Sequence, residues 1–237
     1  MTRSTGILTD IAISHLAGEN RITMDRPFDE DQIQPASLDL RLGEKAYRVR
    51  ASFLPGKGTA VADKLERFKL HELSLSEGAI LETGCVYLIP LLESLDLPND
   101  IEASANPKSS TGRLDIFTRV ITDGSQGFDQ IAAGYAGPLY LEVSPSTFPV
   151  VVRTGSRLSQ IRFRKGSSIL GDEELLALHA DETLVATETT PNIHNGGIGL
   201  SIDLTGDENG LIGYRGKRHT GLVDVDKKAA NDILDFW

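Results

Sequence analysis

The feature that most constrains the fold is a series of short apolar runs, rich in β-branched residues and separated by Gly, Pro, Asn and Asp. The runs cover residues 46–49, 79–81, 86–91, 116–121, 139–143, 150–152 and 158–163. Runs of this length between turn residues predict strands. So many of them in one chain predict an all-β sandwich or barrel.

Helix signals are few. Residues 7–18 have apolar side chains near a helical spacing and end at Gly18, which predicts a short N-terminal helix. Residues 171–180 begin with three acidic side chains, which suit a helix N-terminus, and predict one or two further helical turns.

A domain boundary is expected near residue 190, where the sequence is polar and is broken by Pro191. Beyond it, residues 201–204 (Ser-Ile-Asp-Leu) resemble residues 37–40 (Ser-Leu-Asp-Leu). We therefore expect a β domain over residues 1–190, with a linker and the start of a truncated second repeat over residues 191–237.

Composition excludes some partners and compartments. The chain has 24 Lys and Arg against 34 Asp and Glu, a net charge of −10, which disfavours nucleic-acid binding. Cys85 is the single cysteine, so no internal disulfide can form and a reducing compartment is expected. The sequence has no run long enough to span a membrane and no signal-peptide pattern, which predicts a cytoplasmic protein with no membrane partner.

The segment from Lys108 to Arg113 (Lys-Ser-Ser-Thr-Gly-Arg) places two cations, three hydroxyls and a glycine within a few residues. Lysine, arginine and serine donate to phosphate oxygens, and glycine allows close approach of the backbone. The same residues also suit an ordinary surface turn. The segment is therefore a candidate phosphate site with a structural alternative.

Glu142 is a lone acid within the apolar run 139–143. Strand alternation places Leu139, Leu141 and Val143 on one face and Tyr140 and Glu142 on the other, and alternation alone favours an exposed glutamate. Together with the phosphate motif, however, an embedded acid suggests an enzyme that acts on a nucleotide. The five histidines are scattered, which disfavours a zinc site, and Walker-type and Gly-x-Ser-x-Gly motifs are absent.

Four blocks of sequence together resemble the dCTP deaminase and dUTPase superfamily, and its deaminase branch in particular. They are Gln-Pro-Ala-Ser-Leu-Asp-Leu-Arg-Leu-Gly at 34–43, Lys-Ser-Ser-Thr-Gly-Arg-Leu at 108–114, Gly-Tyr-Ala-Gly-Pro-Leu-Tyr-Leu-Glu-Val at 134–143 and Gly-Ser-Arg-Leu-Ser-Gln-Ile at 155–161. The opening residues and the block Phe-Asp-Gln-Ile at 128–131 resemble the N-terminal half of a longer, two-copy bacterial form.

The resemblance implies a distorted β jelly roll of the dUTPase-like β-clip type, with a short N-terminal helix and few other helices. It implies a homotrimer, or a pseudo-trimeric assembly, with active sites where subunits meet. The implied activity is hydrolytic deamination of dCTP to dUTP and ammonia without zinc, which supplies dUTP for thymidylate synthesis. Such an enzyme is a hydrolase that acts on the C–N bond of a cyclic amidine.

Residue roles follow from the resemblance by position. Glu142 would be the general base and proton shuttle, and Ser109 and Arg113 would help to hold the attacking water. Mg²⁺ is expected on the triphosphate. The residues expected to bind the substrate are Lys108, Ser109, Ser110, Thr111, Gly112, Arg113, Tyr140, Leu141 and Gln160.

The sequence departs from the family pattern at two places. Lys108 stands where the family usually has Arg, and Ala132-Ala133 replace an Asp-Pro whose acid binds the sugar and serves dUTPase chemistry. Tyr214, Lys217 and Arg218 are candidates for a C-terminal closing segment. Two alternatives stay open: a bifunctional enzyme that also hydrolyses dUTP to dUMP, and a non-catalytic, nucleotide-binding trimerisation module of a two-copy enzyme.

Overall fold

The structure, a computed structural model, describes residues 5–186 and 190–237 and consists mainly of strands. The strands are β1 (Gly6–Ile7), β2 (Ile22–Met24), β3 (Ile33–Gln34), β4 (Ser37–Arg41), β5 (Lys45–Val49), β6 (Lys69–Ser74), β7 (Ala79–Leu81), β8 (Val86–Asp96), β9 (Ile101–Pro107), β10 (Ile116–Thr122), β11 (Gln130–Ile131), β12 (Ala136–Pro145), β13 (Val150–Val152), β14 (Arg157–Lys165), β15 (Ile193–His194), β16 (Gly197–Ile198) and β17 (Val223–Asp224). The helices are α1 (Asp10–Gly18), α2 (Val61–Phe68), α3 (Ser109–Arg113), α4 (Asp172–Glu182) and α5 (Ile233–Phe236).

Most strands belong to two six-stranded sheets. The first has the order β11-β9-β14-β4-β3 with β1 beside β14, and the second has the order β10-β12-β8-β5-β6 with β2 beside β8. Leu38 and Leu40 of β4 share one buried core with Leu139 and Leu141 of β12, so the main core combines both sheets. This β-dominated architecture with few helices confirms the predicted fold class.

All seven predicted strands exist, and most extend beyond the predicted bounds. The N-terminal helix is also present, but it begins at Asp10. Ile7, which the helical spacing included, instead pairs with Arg164 at the edge of β14. Pairing with β14 satisfies backbone groups of Ile7 that the first turn of a helix would leave without hydrogen-bond partners. This pairing therefore overrides the local helical pattern.

The opposite face of the second sheet carries a second apolar cluster. Leu88, Ile121 and Tyr140 point away from the main core and pack against side chains of residues 50–68, which include α2. Within α2, Val61 and Leu65 are buried at helical spacing. The first backbone N–H of α2, that of Val61, donates to Asp123 Oδ1 at 2.7 Å, which satisfies a donor that has no partner within the helix.

The chain divides into two compact units, residues 1–166 with 216–237 and residues 167–215. In the first unit, β17 of the C-terminal segment pairs in parallel with β13. In the second, Asp172 at the start of α4 accepts hydrogen bonds from the N–H groups of Asn195 and Gly196. The boundary expected near residue 190, and the start of a truncated second repeat after it, stay predictions. Over residues 5–186 and 190–237, no helix is long and apolar enough to cross a membrane.

Candidate active site

The serine-rich segment forms the short helix α3, directly after β9. The N–H of Lys108 and the hydroxyl of Thr111 both donate to the carbonyl oxygen of Leu158 on β14, at 3.0 and 2.8 Å. Thr111 is thereby turned into the protein interior and is buried. Ser109 and Ser110 stay exposed, as a ligand-binding segment requires.

A cavity of about 660 Å³ lies beside this helix and is large enough for a nucleotide. Five residues of the predicted site line it: Lys108, Ser109, Ser110, Arg113 and Gln160. The lining also includes Arg157 and Lys228, which sequence reasoning did not place in the site. The signal for Arg157 was present, because it stands in the fourth family block, but its position beside a turn favoured a structural interpretation.

Carboxylates hold the cations of this cavity in place. Lys108 contacts the buried carboxylate of Asp39, and Arg157 Nη2 lies 2.8 Å from Asp31 Oδ1. The hydrogen bond from Arg157 is the main reason that the pKa of Asp31 lies below its usual value. Gln160 is also fixed, since its Oε1 accepts a hydrogen bond from Ser37 Oγ at 3.1 Å.

Asp39 is supported by a buried polar network behind it. Gln32 Nε2 donates to the backbone oxygen of Asp39 at 2.8 Å and to Glu93 Oε1 at 2.7 Å. Arg41 Nε donates to the same Glu93 oxygen at 2.8 Å. Arg41 and Glu93 are 3% and 0% exposed, so they form a desolvated ion pair under the cavity. The arginine of the first family block is therefore a structural residue here.

Glu142 lies in the middle of β12 and is buried, with 3% exposure. The exposed position that alternation alone favoured is wrong, because the second apolar cluster and residues 50–68 cover this face of the sheet. The cross-strand neighbour of Glu142 on β10 is Arg119. Arg119 Nη2 and Nε lie 2.6 and 3.1 Å from Glu142 Oε1.

Asp129 is a further acid near this pair. It lies just before β11 with a positive φ of 62°, and its Oδ1 accepts from the N–H of Val120 at 2.7 Å. Burial raises the pKa of Asp129; Arg119 opposes that shift and the negative charge of Glu142 adds to it. Sequence reasoning missed Asp129 and Arg119, because their proximity to Glu142 depends on strand register.

The structure does not bring all predicted site residues together. Among the residues that line the 660 Å³ cavity in the described ranges, Thr111, Gly112, Tyr140, Leu141 and Glu142 are not found. Gly112 instead borders a second cavity of about 390 Å³, together with Arg119 and Asp129. Within one chain, the cavity that the phosphate-type groups line therefore does not include the embedded acid among its lining residues.

Of the C-terminal candidates, Tyr214 belongs to the second compact unit, and Lys217 and Arg218 belong to the first. Tyr214 is exposed, and Lys217 contacts the backbone oxygen of Leu234 in α5. From the C-terminal segment, the lining of the larger cavity includes Val225, Asp226 and Lys228. In the described part of the chain, no cluster of three or more His, Cys, Asp or Glu side chains could hold a metal ion.

Comparison with known proteins identifies the family from two regions. Residues 4–167 match the family model of the 2'-deoxycytidine 5'-triphosphate deaminase N-terminal domain, and residues 171–237 match the model of its C-terminal domain. Residues 171–237 therefore match a separate domain of the same family. The interpretation of residues 191–237 as a linker and the start of another copy stays a prediction.

Relatives with curated names agree with this match. A protein of Beutenbergia cavernae named "dCTP deaminase, dUMP-forming" is 31% identical over 163 residues, which cover 68% of this chain and 81% of the relative. A "dCTP deaminase" of Halorubrum lacusprofundi is 33% identical over 161 residues, covering 66% and 76% respectively.

The fold also matches a solved structure. The crystal structure of 2'-deoxycytidine 5'-triphosphate deaminase from Agrobacterium tumefaciens superimposes with a TM-score of 0.91 at 67% identity, covering 99% of this chain and 70% of that one. On the family models, the relatives and this structure together, the chain belongs to the dCTP deaminase family.

Proposed function

We propose that this chain catalyses the hydrolytic deamination of dCTP to dUTP and ammonia, without zinc. The observation that carries the proposal is that one chain contains both a buried acid in a central strand, Glu142, and a cavity lined by Lys108, two serines and Arg113. A desolvated carboxylate suits proton transfer, and the cations and hydroxyls suit a triphosphate. Membership of the dCTP deaminase family supplies the substrate.

The proposed chemistry needs one base that both accepts and returns protons. Glu142 takes a proton from water as the water oxygen bonds to C4 of cytosine. The carboxylic acid passes this proton to N3. Glu142 then takes the remaining proton from the new hydroxyl group on C4 and passes it to the exocyclic amine, the C4–N bond breaks, and ammonia leaves as the C4 carbonyl forms. Ser109 and Arg113 would orient the water and balance the charge that develops beside it.

The larger cavity would bind the triphosphate. Lys108, Arg113 and Arg157 supply charge, and Ser109 and Ser110 supply hydroxyl donors. Mg²⁺ would be held by the phosphate oxygens of the substrate. The residues that line the cavity fit this arrangement, because each of the carboxylates among them already pairs with a cation of the protein. These carboxylates are Asp29, Asp31, Asp39 and Asp226. The cation would shield phosphate charge, while the protein residues orient the chain of phosphates.

We further propose a homotrimer or pseudo-trimeric assembly in which the site is shared between chains. The support is the separation of Glu142 from the cavity that Ser109 and Arg113 line. A reaction that uses all three residues needs a second copy to supply one group. Ammonia release from dCTP by mixtures of Glu142→Gln and Ser109→Ala chains tests this idea: activity regained on mixing supports a shared site, and two variants that stay inactive when mixed contradict it.

Ammonia release from dCTP tests the function directly. Purified protein is incubated with dCTP and Mg²⁺ in the presence of a zinc-selective chelator, and ammonia is measured enzymatically. Steady ammonia release, with loss of the cytosine absorbance, supports zinc-independent deamination. Nucleotide binding without ammonia release would instead support the non-catalytic module.

A bifunctional enzyme is the second candidate, and the names of several relatives favour it. Relatives from Beutenbergia cavernae and Methanosphaera stadtmanae are both named "dCTP deaminase, dUMP-forming". The Ala132-Ala133 pair, which replaces the acid of the dUTPase-type motif, weighs against this activity. Phosphorus NMR of the products decides between them: pyrophosphate with dUMP supports the bifunctional enzyme, and intact dUTP supports deamination alone.

A further inference from the structure

The ion pair between Arg119 and Glu142 uses only one oxygen of the carboxylate. Arg119 Nη2 and Nε both donate to Glu142 Oε1, at 2.6 and 3.1 Å. Within residues 5–186 and 190–237, Oε2 of Glu142 accepts no hydrogen bond. The two oxygens therefore differ: one is fixed and the other is left available.

The guanidinium that fixes Oε1 is itself held on several sides. Its central carbon lies 3.6 Å from the ring centroid of Phe128 and 4.8 Å from that of Phe117. Nη2 also donates to Ser52 Oγ at 2.9 Å. Cation–π contacts and a second hydrogen-bond acceptor restrict a planar guanidinium to one orientation. Arg119 is thus a rigid support for Glu142 and has little freedom to move away.

We propose that Arg119 is a positioning residue for deamination, which holds Oε1 of Glu142 so that Oε2 is the oxygen that exchanges protons with water and substrate. This inference rests on the proposed function, because it assigns geometry to the base named there. A catalytic group must be held in position to within a fraction of an ångström. The side chain that holds it must therefore itself be fixed. Ser52, Phe117 and Phe128 provide that support.

The chain offers a matched control in the pair Arg164–Glu102. These residues are also direct cross-strand neighbours, and Arg164 Nε lies 2.6 Å from Glu102 Oε1. Their side chains are 36% and 40% exposed, against 25% and 4% for Arg119 and Glu142. Removal of the control arginine deletes the same type of bond away from the proposed base.

The experiment compares kcat and KM for ammonia release from dCTP in three variants of the full chain. We expect Arg119→Gln to lower kcat by about a hundredfold while KM changes by less than about threefold, since misplacement of a catalytic group affects the chemical step. Arg119→Lys should have a kcat about tenfold higher than that of Arg119→Gln, because a single ammonium group can still reach Oε1 of Glu142. Arg164→Gln should match the parent. A kcat of Arg119→Gln within about threefold of the parent would overturn the inference.

Two further variants separate the possible failures. If Glu142→Gln deaminates at the parental rate, the proposed function of Glu142 fails; if it is inactive while Arg119→Gln is fully active, only the positioning role fails. Should Arg119→Gln not fold, Ser52→Ala decides, because it leaves the ion pair intact and removes one support. A fall in kcat of about threefold supports the inference, and an unchanged kcat overturns it.

Discussion

Lys108 pairs with Asp39 inside the larger cavity, where the carboxylate of Asp39 is only 2% exposed. Arg157 Nη1 lies 3.6 Å from the same carboxylate oxygen. One buried acid therefore holds two cations beside the serines of α3. The positive charges are oriented before a ligand arrives, which reduces the conformational cost of binding a polyanion.

Lys108→Ala should weaken nucleotide binding more than chemistry. A charge-assisted contact to phosphate is worth about 1.5–3 kcal/mol, so we expect KM for dCTP to rise by about tenfold to a hundredfold with kcat within about twofold. Steady-state ammonia assays measure both constants. Lys165→Ala removes a comparable lysine, paired with Asp100, and serves as the control. Equal KM values for the two variants would contradict a phosphate-binding role.

Glu142→Gln should separate binding from catalysis. The amide keeps the shape of the side chain and its place beside Arg119 but cannot take a proton from water. General-base catalysis contributes about a hundredfold to ten-thousandfold, so the rate of ammonia release should fall by at least about a hundredfold. The Kd for dCTP, measured by calorimetry, should stay within about threefold of the parental value. Glu102→Gln is the surface control. Parental turnover in Glu142→Gln would remove Glu142 from the mechanism.

Glu93→Gln should destabilise the fold. Arg41 would then lose its buried ionic partner and keep only the longer contact of 3.7 Å with the exposed Asp29, and loss of one member of a buried pair costs about 3–5 kcal/mol. Urea unfolding followed by circular dichroism measures the free energy of unfolding. Glu66→Gln, which affects an exposed pair with Lys69, should change it by less than about 1 kcal/mol. Similar values for both variants would show that the buried network contributes little.

The attachment of the C-terminal segment should weaken in acid. Arg153 Nη1 and Nη2 reach the two oxygens of Asp224 at 2.7 and 2.8 Å, and these hydrogen bonds hold the pKa of Asp224 well below its usual 3.8. A lowered folded-state pKa stabilises the folded form above the unfolded value, and this contribution is lost as the pH falls from 3.8 toward the folded-state pKa.

Hydrogen exchange at residues 216–237, corrected for the intrinsic pH dependence, should therefore accelerate below pH 3.8. Asp224→Asn should show the accelerated exchange at neutral pH, while Asp96→Asn, in an exposed pair with Arg21, should not. Exchange that is equally slow in Asp224→Asn and the parent would mean that the ion pair does not attach this segment.

Local sequence patterns were sufficient for much of the fold. The run at residues 79–81 became β7 and the run at 150–152 became β13 with the predicted bounds, because turn residues limit both. Helix α2 was missed, although Val61 and Leu65 have helical spacing. Its short length and polar surroundings gave a weak signal, and its stability depends on packing against the second sheet, which no local pattern reports.

The candidate site was only partly accessible to sequence reasoning. The segment 108–113 and Gln160 were located by motif, and most of them line one cavity. Arg119 could not be linked to Glu142, because that link requires the register of β10 on β12. Arg157 and Lys228 reach the larger cavity through long-range packing.

The residues that pack on the face of the sheet around Glu142 have a consequence for how the sequences of this family can differ. Residues 50–68 precede the acid by more than seventy positions, yet Phe53, Val61 and Leu65 among them pack on the face of the sheet that carries it. A deletion in that stretch could leave the main core between the sheets whole while water reaches the carboxylate. If Glu142 is the base proposed above, we expect such a protein to stay folded and to lose turnover, so that the loop between β5 and β6 would set activity independently of the main core.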